Sequence, residues 1–382
     1  MKIVIALPSS PWPVERGTGR LIMSLVRGLA ERHRVVLVTM TQSGRESERL
    51  REIETDSIKV VPMIAPNKRS LAAKIWYRLK HQMLQSFFSI PLETSYSAPG
   101  RFLETVASVA RKEKADLVLA NYWHLYRLPD LLGAIPSALI THDIDYLIER
   151  PVSTTLDRKK CGGKVRPELE ERIEKAAYRK YGRILTVTSH DASRLAGEMP
   201  EKAGCIETLP LALDLDMFAA SGRTRENGPV LFTGTFSSDF NIDALTYLVD
   251  EVVPVLLRIR PDIRIRIAGG GVPGDIAARA PGCVEFAGYV EDLAVELDGA
   301  SLMVLPLRFA GGVRIRMLEA AAMSLPVVST SAGVGGMGLE DGKEFLLADT
   351  AAEMAEKIVE VLEDGDLASS LGVSARKWVE RN

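Results

Sequence analysis

The chain has 382 residues, 46% hydrophobic and 26% charged, with a net charge of −2. At about 150 residues per domain this suits two domains rather than one small module, and the near-neutral charge argues against a nucleic-acid coat protein. Apolar runs such as Ser301 to Leu307 fall far short of the roughly 18 residues of a membrane span, and Ile3 to Leu7 is too short for a signal-peptide core, so the cytoplasm is the expected compartment.

Along the chain, β-branched runs alternate with helix-length amphipathic segments, the grammar of a parallel α/β sheet covered on both faces. In the first half strands are expected at Lys2–Leu7, Val35–Thr39, Lys59–Met63, Asp116–Ala120, Ser137–Thr141 and Arg183–Val187. Helices are expected near Gly19–Arg32, Ser70–Phe88, Pro99–Lys114 and Pro167–Tyr181. The last of these opens on proline and acidic residues and closes on basic ones, as the helix dipole favours. A Ser, Gly and Pro-containing segment, Ala219–Pro229, reads as a linker. The pattern then restarts with strands at Val230–Thr233, Ile263–Ala268, Val284–Phe286, Leu302–Leu305, Val327–Ser329 and Phe345–Leu347, and helices at Asn241–Arg260, Val313–Met323 and Ala351–Leu362. Domains are therefore expected at 1–208 and 209–366, with a final helix in 367–382 that packs back on the first domain. Two such open sheets facing each other place a ligand at a shared cleft. Cys161, Cys205 and Cys283 are too far apart for a C-x-x-C metal or disulfide pattern.

Three glycine-rich spots invite a phosphate. Gly17-Thr18-Gly19 precedes a helix, but Ile22 replaces the third glycine of a dinucleotide fingerprint and the turn from the first strand is too long; it is either a loop able to approach a phosphate or an ordinary helix start. Gly269-Gly270-Gly271 lacks the lysine and hydroxyl of a P-loop and reads as a turn. The most specific segment runs from Pro306 to Glu319. There a strand enters Gly311-Gly312-Val313, and a helix follows carrying arginines and one glutamate. Free N–H groups at that helix start, together with Arg308, Arg314 and Arg316, suit a diphosphate. Glu319 lies one turn beyond Arg316, where a carboxylate can accept from both ribose hydroxyls; an internal Arg316–Glu319 ion pair is the alternative.

From Leu305 through Gly333 the sequence resembles the retaining glycosyltransferases of the GT-B fold, family 4, and among them a bacterial exopolysaccharide branch. Supporting matches are Phe232-Thr233-Gly234-Thr235-Phe236 with Asn241-Ile242-Asp243-Ala244-Leu245, Phe286 to Val290, Leu209 to Phe218, the Gly17–Gly19 loop and Thr141-His142-Asp143. The resemblance implies an α/β fold of two Rossmann-like parallel-sheet domains across a cleft, and sugar transfer from a nucleotide diphosphate sugar to a glycan or lipid-linked acceptor. By it, Glu319 binds ribose, and Arg308, Arg314 and Arg316 bind the diphosphate. Tyr289 and Val290 bind the base, Gly311 and Gly312 the sugar, and His142 contacts the sugar near the reacting centre. Gly17, Gly19, Gly234, Thr235 and Val313 complete the donor-binding set. Gly311 stands where many members carry a second glutamate, and the exopolysaccharide branch often has glycine there too. A retaining transfer needs no carboxylate base, because the departing phosphate can take the acceptor's proton. No cofactor or metal is expected, and the D-x-D triplets Asp143-Ile144-Asp145 and Asp214-Leu215-Asp216 are read as non-metal. His142 could also be a hydrogen-bonded core residue, and His124 either an acceptor contact or packing.

Between Ser57 and Leu92 stand Lys59, Lys68, Arg69, Lys74, Arg78 and Lys80 with no acidic residue. Aromatic and aliphatic side chains among them fall near helical spacing, so residues 68–88 form either a helix resting on anionic lipid or one with a solvated basic face. Two other functions compete with the transferase: a non-catalytic nucleotide-sugar-binding assembly protein, and a nucleotide-sugar epimerase of the same fold, for which the chain offers few histidines.

Overall fold

The computed structural model describes residues 1–12, 17–65, 98–148, 167–210, 213, 215–218, 228–236 and 238–382. The expected basic helix at 68–88 and most of the linker lie outside them. The chain forms two compact units, the first containing Met1–Ile148 and the described residues up to 210, the second Leu213–Asn382.

The first unit holds seven strands: β1 (Lys2–Leu7), β2 (Arg34–Thr41), β3 (Ile58–Ile64), β4 (Leu117–Asn121), β5 (Ser137–Thr141), β6 (Arg183–Thr186) and β7 (Ile206–Thr208). They lie in the order β3-β2-β1-β4-β5-β6-β7, and every pair is parallel. The second unit holds β8 (Val230–Thr233), β9 (Ile265–Ala268), β10 (Val284–Gly288), β11 (Leu302–Leu305), β12 (Val327–Ser329) and β13 (Leu346–Leu347), ordered β10-β9-β8-β11-β12-β13. With β8 taken as the first strand of its unit, both sheets start as 3-2-1-4-5-6, the doubly wound order. Each therefore has a topological switch point, between β1 and β4 and between β8 and β11, outside whose carboxyl ends ligands bind.

Strand periodicity explains the continuous apolar runs. Val4 and Ala6 enter one core while Ile3, Ile5 and Leu7 enter another on the opposite face. In the second sheet Leu302 and Val304 face one core, Met303 and Leu305 the other. A strand buried on both faces has no polar side to show. Helices cover these faces: Phe102, Val106 and Ala110 of Gly100–Glu113 on one side of the first sheet, Ile22, Met23 and Val26 of Gly17–Ala30 on the other.

One expectation is corrected. The single helix expected over Asn241–Arg260 is helical over Asp239–Tyr247 and Val253–Ile259 but widens to a π turn at Leu248–Val252. Pro254 has no N–H for the carbonyl one turn back, and a π turn relieves that loss. The last helix, Gly365–Arg381, packs on the cores of the second unit. Leu371 and Ala375 join its two cores, Gly372 lies against Ser324, and Arg376 donates to the carbonyls of Phe218 at 3.1 Å and Ala322. A Cβ on Gly372 would stand 2.1 Å from the Ser324 oxygen, so only glycine allows that approach.

Candidate functional site

The carboxyl ends of β8 and β11 bring the second unit's candidates together. After β8 the chain passes Gly234 and the exposed Thr235, and after β9 it passes Gly269 and Gly270. These loops are stitched by backbone bonds, Gly234 N–H to Ala268 at 3.0 Å and Phe236 N–H to Gly270 at 2.9 Å. Gly269, at φ +144°, lies so close that an added Cβ would stand 1.7 Å from the Gly234 oxygen. Gly269 of the three-glycine run thus serves loop packing.

After β11, Gly312 turns the chain at φ +65° and Glu319 sits 2% exposed in the Ile315–Ala322 helix. Arg316 reaches from that helix toward β8 and the helix after it, where it donates to Asn241 Oδ1 at 2.6 Å and lies 5.7 Å from the Phe232 ring centroid. Its guanidinium would meet a side chain on Gly234 at 3.2 Å. Burial pushes Arg316 down to about 10, with Glu319 opposing that shift, so it stays charged at neutral pH.

The structure separates the three arginines. Arg314 turns back on its own loop, donating to the carbonyls of Gly311 and Gly312 and, at 3.0 and 3.1 Å, to Ala332. It staples the glycine turn to the short helix Ser331–Val334. Arg308 is exposed and forms a two-pronged pair with the buried carboxylate of Asp243, at 2.5 and 2.9 Å, with Glu251 at 3.5 Å. Both therefore carry structural duties that the sequence does not reveal. Val313 is half-buried, Tyr289 is exposed beyond β10, and Val290 packs against a core of its unit.

In the first unit the ends of β4 and β5 meet. Asn121, fully buried, donates to Ala6 at 3.4 Å and turns its carbonyl oxygen to His142 Nε2 at 3.1 Å. Burial pushes His142 down to about 4, so the ring is neutral at pH 7 and its Nε2–H donates to Asn121, leaving Nδ1 as an acceptor. The Tyr122 ring lies 4.7 Å away, on a residue held at φ +73°. A non-glycine residue in that region costs about 1–3 kcal/mol and is typical of functional sites. Beyond His142, Asp145 accepts from Trp123 Nε1 at 2.7 Å. His124 stacks on Trp123 with ring centroids 4.3 Å apart. Gly17 begins the Gly17–Ala30 helix and Gly19 is buried within it. Asn121, Tyr122, Asn241 and Asp243 have no assigned role in the sequence reading, although Asn241 and Asp243 lie within the Asn241–Leu245 match. Their place at strand ends or on the helix after β8 was a further signal.

A family model described as glycosyl transferase 4-like domain matches residues 16–212, and one described as glycosyl transferases group 1 matches 228–364. A Klebsiella pneumoniae protein, "uncharacterized 44.6 kDa protein in cps region", is 24% identical over 41% of this chain and 42% of its own length. A GDP-mannose-dependent phosphatidylinositol monomannoside mannosyltransferase of Mycolicibacterium smegmatis is 27% identical over 55% of this chain and 62% of its own length. The chain thus spans about half the length of these curated relatives. Among solved structures, Anabaena HepE in complex with UDP and glucose superposes with TM-score 0.69 at 13% identity, covering 100% of this chain and 94% of that one. Sucrose-phosphate synthase from Thermosynechococcus elongatus gives 0.71 at 17%, covering 100% and 94%. With two parallel α/β units of the GT-B type and a family model spanning more than half its length, the chain belongs to the glycosyl transferase 4-like family.

Proposed function

We propose that this protein is a retaining glycosyltransferase that moves a sugar from a nucleotide diphosphate sugar to a glycan or lipid-linked acceptor in cell-surface polysaccharide synthesis. The observation that carries the reading is the convergence, at one switch point, of charged Arg316 and buried Glu319 beside the Gly234 loop. Cleavage of the bond from anomeric carbon to phosphate leaves negative charge on the diphosphate, and fixed guanidinium and N–H dipoles stabilise that charge. In this reading Arg316 and the amides of Gly311, Gly312 and Val313 face the diphosphate and sugar, and Glu319 accepts from the ribose hydroxyls. Tyr289 and Val290 flank the base. Arg308 and Arg314 act at the diphosphate only by leaving the protein groups they hold, so their contribution is smaller than that of Arg316. Gly17, Gly19, Gly234 and Thr235 supply backbone approach, and His142 contacts the sugar.

The leaving phosphate takes the acceptor's proton, so the reaction asks for no carboxylate base, metal or cofactor. The polysaccharide context draws on the cps-region name of the Klebsiella relative. No helix among the described residues is long and apolar enough to cross a membrane. A lipid-linked acceptor would be met by peripheral contact of residues 68–88 with the anionic cytoplasmic leaflet. Cosedimentation with anionic vesicles at low salt tests that contact, and no binding removes it.

The activity is tested with a panel of UDP-, GDP-, ADP- and dTDP-sugars. One donor is expected to release its nucleoside diphosphate, with NMR of the product showing the donor's anomeric configuration. Failure of every donor to bind, with Glu319→Ala changing nothing, contradicts the reading.

A further inference from the structure

A row of hydroxyls and one buried acid lies beneath the turn that carries His142. Glu174, on the Pro167–Lys180 helix, is completely buried. Its Oε1 accepts from the Asp145 N–H at 2.9 Å and its Oε2 from the Tyr146 N–H at 3.1 Å, which pins the turn immediately after His142. Oε1 also lies 2.6 Å from the Tyr178 hydroxyl. That hydroxyl is 3.2 Å from Thr141 Oγ1, and Thr141 donates to the Asp143 carbonyl at 2.5 Å. The row therefore runs Glu174, Tyr178, Thr141, Asp143 carbonyl, with three oxygen–oxygen contacts.

Two hydroxyl protons cannot fill three contacts. With Glu174 ionised, Tyr178 donates to it and Thr141 donates to Asp143, leaving the Tyr178–Thr141 contact without a hydrogen. With a proton on Glu174 every contact is filled in one direction: the acid donates to Tyr178, Tyr178 to Thr141, and Thr141 to the Asp143 carbonyl. Glu174 can still accept both backbone N–H groups.

We infer that Glu174 is carried as a neutral carboxylic acid and acts as a positioning residue, holding the Thr141–Leu147 turn, and with it His142, through this one-directional proton row. The role in transfer rests on the function proposed above; the protonation does not. Burial, followed by the Asp145 carboxylate, pushes Glu174 up to about 8, against the pull of Tyr178 and the two N–H groups. Asp143 and Asp145 face the same mouth through Tyr122, and Glu171 and Glu198 beyond Tyr146 add negative charge that Lys175 and Arg194 oppose.

Infrared difference spectroscopy of the full chain, wild type minus Glu174→Gln, gives the direct test. The carbonyl stretch of a neutral carboxylic acid is expected at pH 6.5 and should fade as the pH passes about 8. Its absence at pH 6.5 overturns the inference. If Glu174→Gln does not fold, Tyr178→Phe replaces it, and the same band must shift because its hydrogen-bond partner is gone. In the transferase assay Glu174→Ala should lower kcat by of order 10- to 100-fold with donor KM unchanged, because the turn is misplaced. Glu174→Gln, which keeps a donor for Tyr178 and an acceptor for one of the two backbone N–H groups, should restore part of that loss and abolish any alkaline fall of kcat seen near pH 8 in wild type. Equal loss in both variants, or a matching rise in donor KM, refutes the positioning role. A wild-type chain that transfers no sugar sinks the proposed function and leaves the infrared result to stand alone.

Discussion

Substituting Gly269 by alanine attacks the packing that shapes the candidate donor site. The new Cβ would stand 1.7 Å from the Gly234 oxygen and 2.8 Å from its carbonyl carbon, both backbone atoms, at φ +144°. To reach ordinary contact near 3.4 Å the two loops must part by nearly 2 Å, which breaks bonds such as Gly269 N–H to Gly288 at 2.6 Å or Gly234 N–H to Ala268 at 3.0 Å. Backbone strain of about 1–3 kcal/mol and one or two lost hydrogen bonds at about 1 kcal/mol each add to roughly 2–5 kcal/mol. Gly270→Ala is the control, because its Cβ meets nothing nearer than Tyr289 Cβ at 4.0 Å. Urea unfolding should place the second unit's transition well below wild type for Gly269→Ala and within about 1 kcal/mol of it for Gly270→Ala. Nucleoside diphosphate affinity should fall only in the former, since Gly234 backs Arg316. Equal stability and affinity in the two variants would refute the argument.

Asn241→Ala removes the 2.6 Å acceptor that aims Arg316; nucleoside diphosphate affinity by titration calorimetry should drop by roughly 10- to 150-fold, as for a charged hydrogen bond of about 1.5–3 kcal/mol. Asp243→Ala should destabilise the second unit by about 1–3 kcal/mol, because Arg308 loses its buried partner yet remains reachable by water; an unchanged urea midpoint would contradict that role. The first unit's stability should respond to pH through His142, pushed from 6.5 down to about 4, and Glu174, pushed from 4.5 up to about 8. Between these values unfolding binds a proton at the histidine, so stability rises with pH from 4 to 6.5, whereas unfolding releases one from Glu174, so stability falls from 4.5 to 8. The two effects oppose each other up to pH 6.5, and above it stability should fall by about 1.4 kcal/mol per pH unit. Urea midpoints between pH 6.5 and 8 check this, with the fall absent in Glu174→Gln.

Much of the fold could be read from the chain because strands buried on both faces are apolar without interruption, as in Lys2–Leu7 and Leu302–Leu305. Short elements whose surfaces are largely polar were harder to see. Gly44–Arg51 buries only Ser47 and Leu50, and β7 is three half-exposed or exposed residues at a sheet edge. The donor segment stood out because glycine, arginine and glutamate are crowded into one strand-to-helix turn. Spacing alone could not rank its arginines, since what separates them comes from elsewhere: Asp243 for Arg308, Ala332 for Arg314, Asn241 for Arg316. Similarly, Asn121 and Glu174 lie 21 and 29 residues from the groups they hold, His142 and Asp145, and meet them only through the order of the sheet.

The central claim, that the switch point of the second unit is a nucleotide-sugar donor site, is tested most directly by calorimetric titration of UDP, GDP, ADP and dTDP into wild type, Arg316→Ala and Glu319→Gln. One nucleotide should bind wild type, with affinity sharply reduced in both variants under conditions where circular dichroism shows them still folded. Binding that is unaffected by either substitution, or no binding of any nucleotide to wild type, would contradict it.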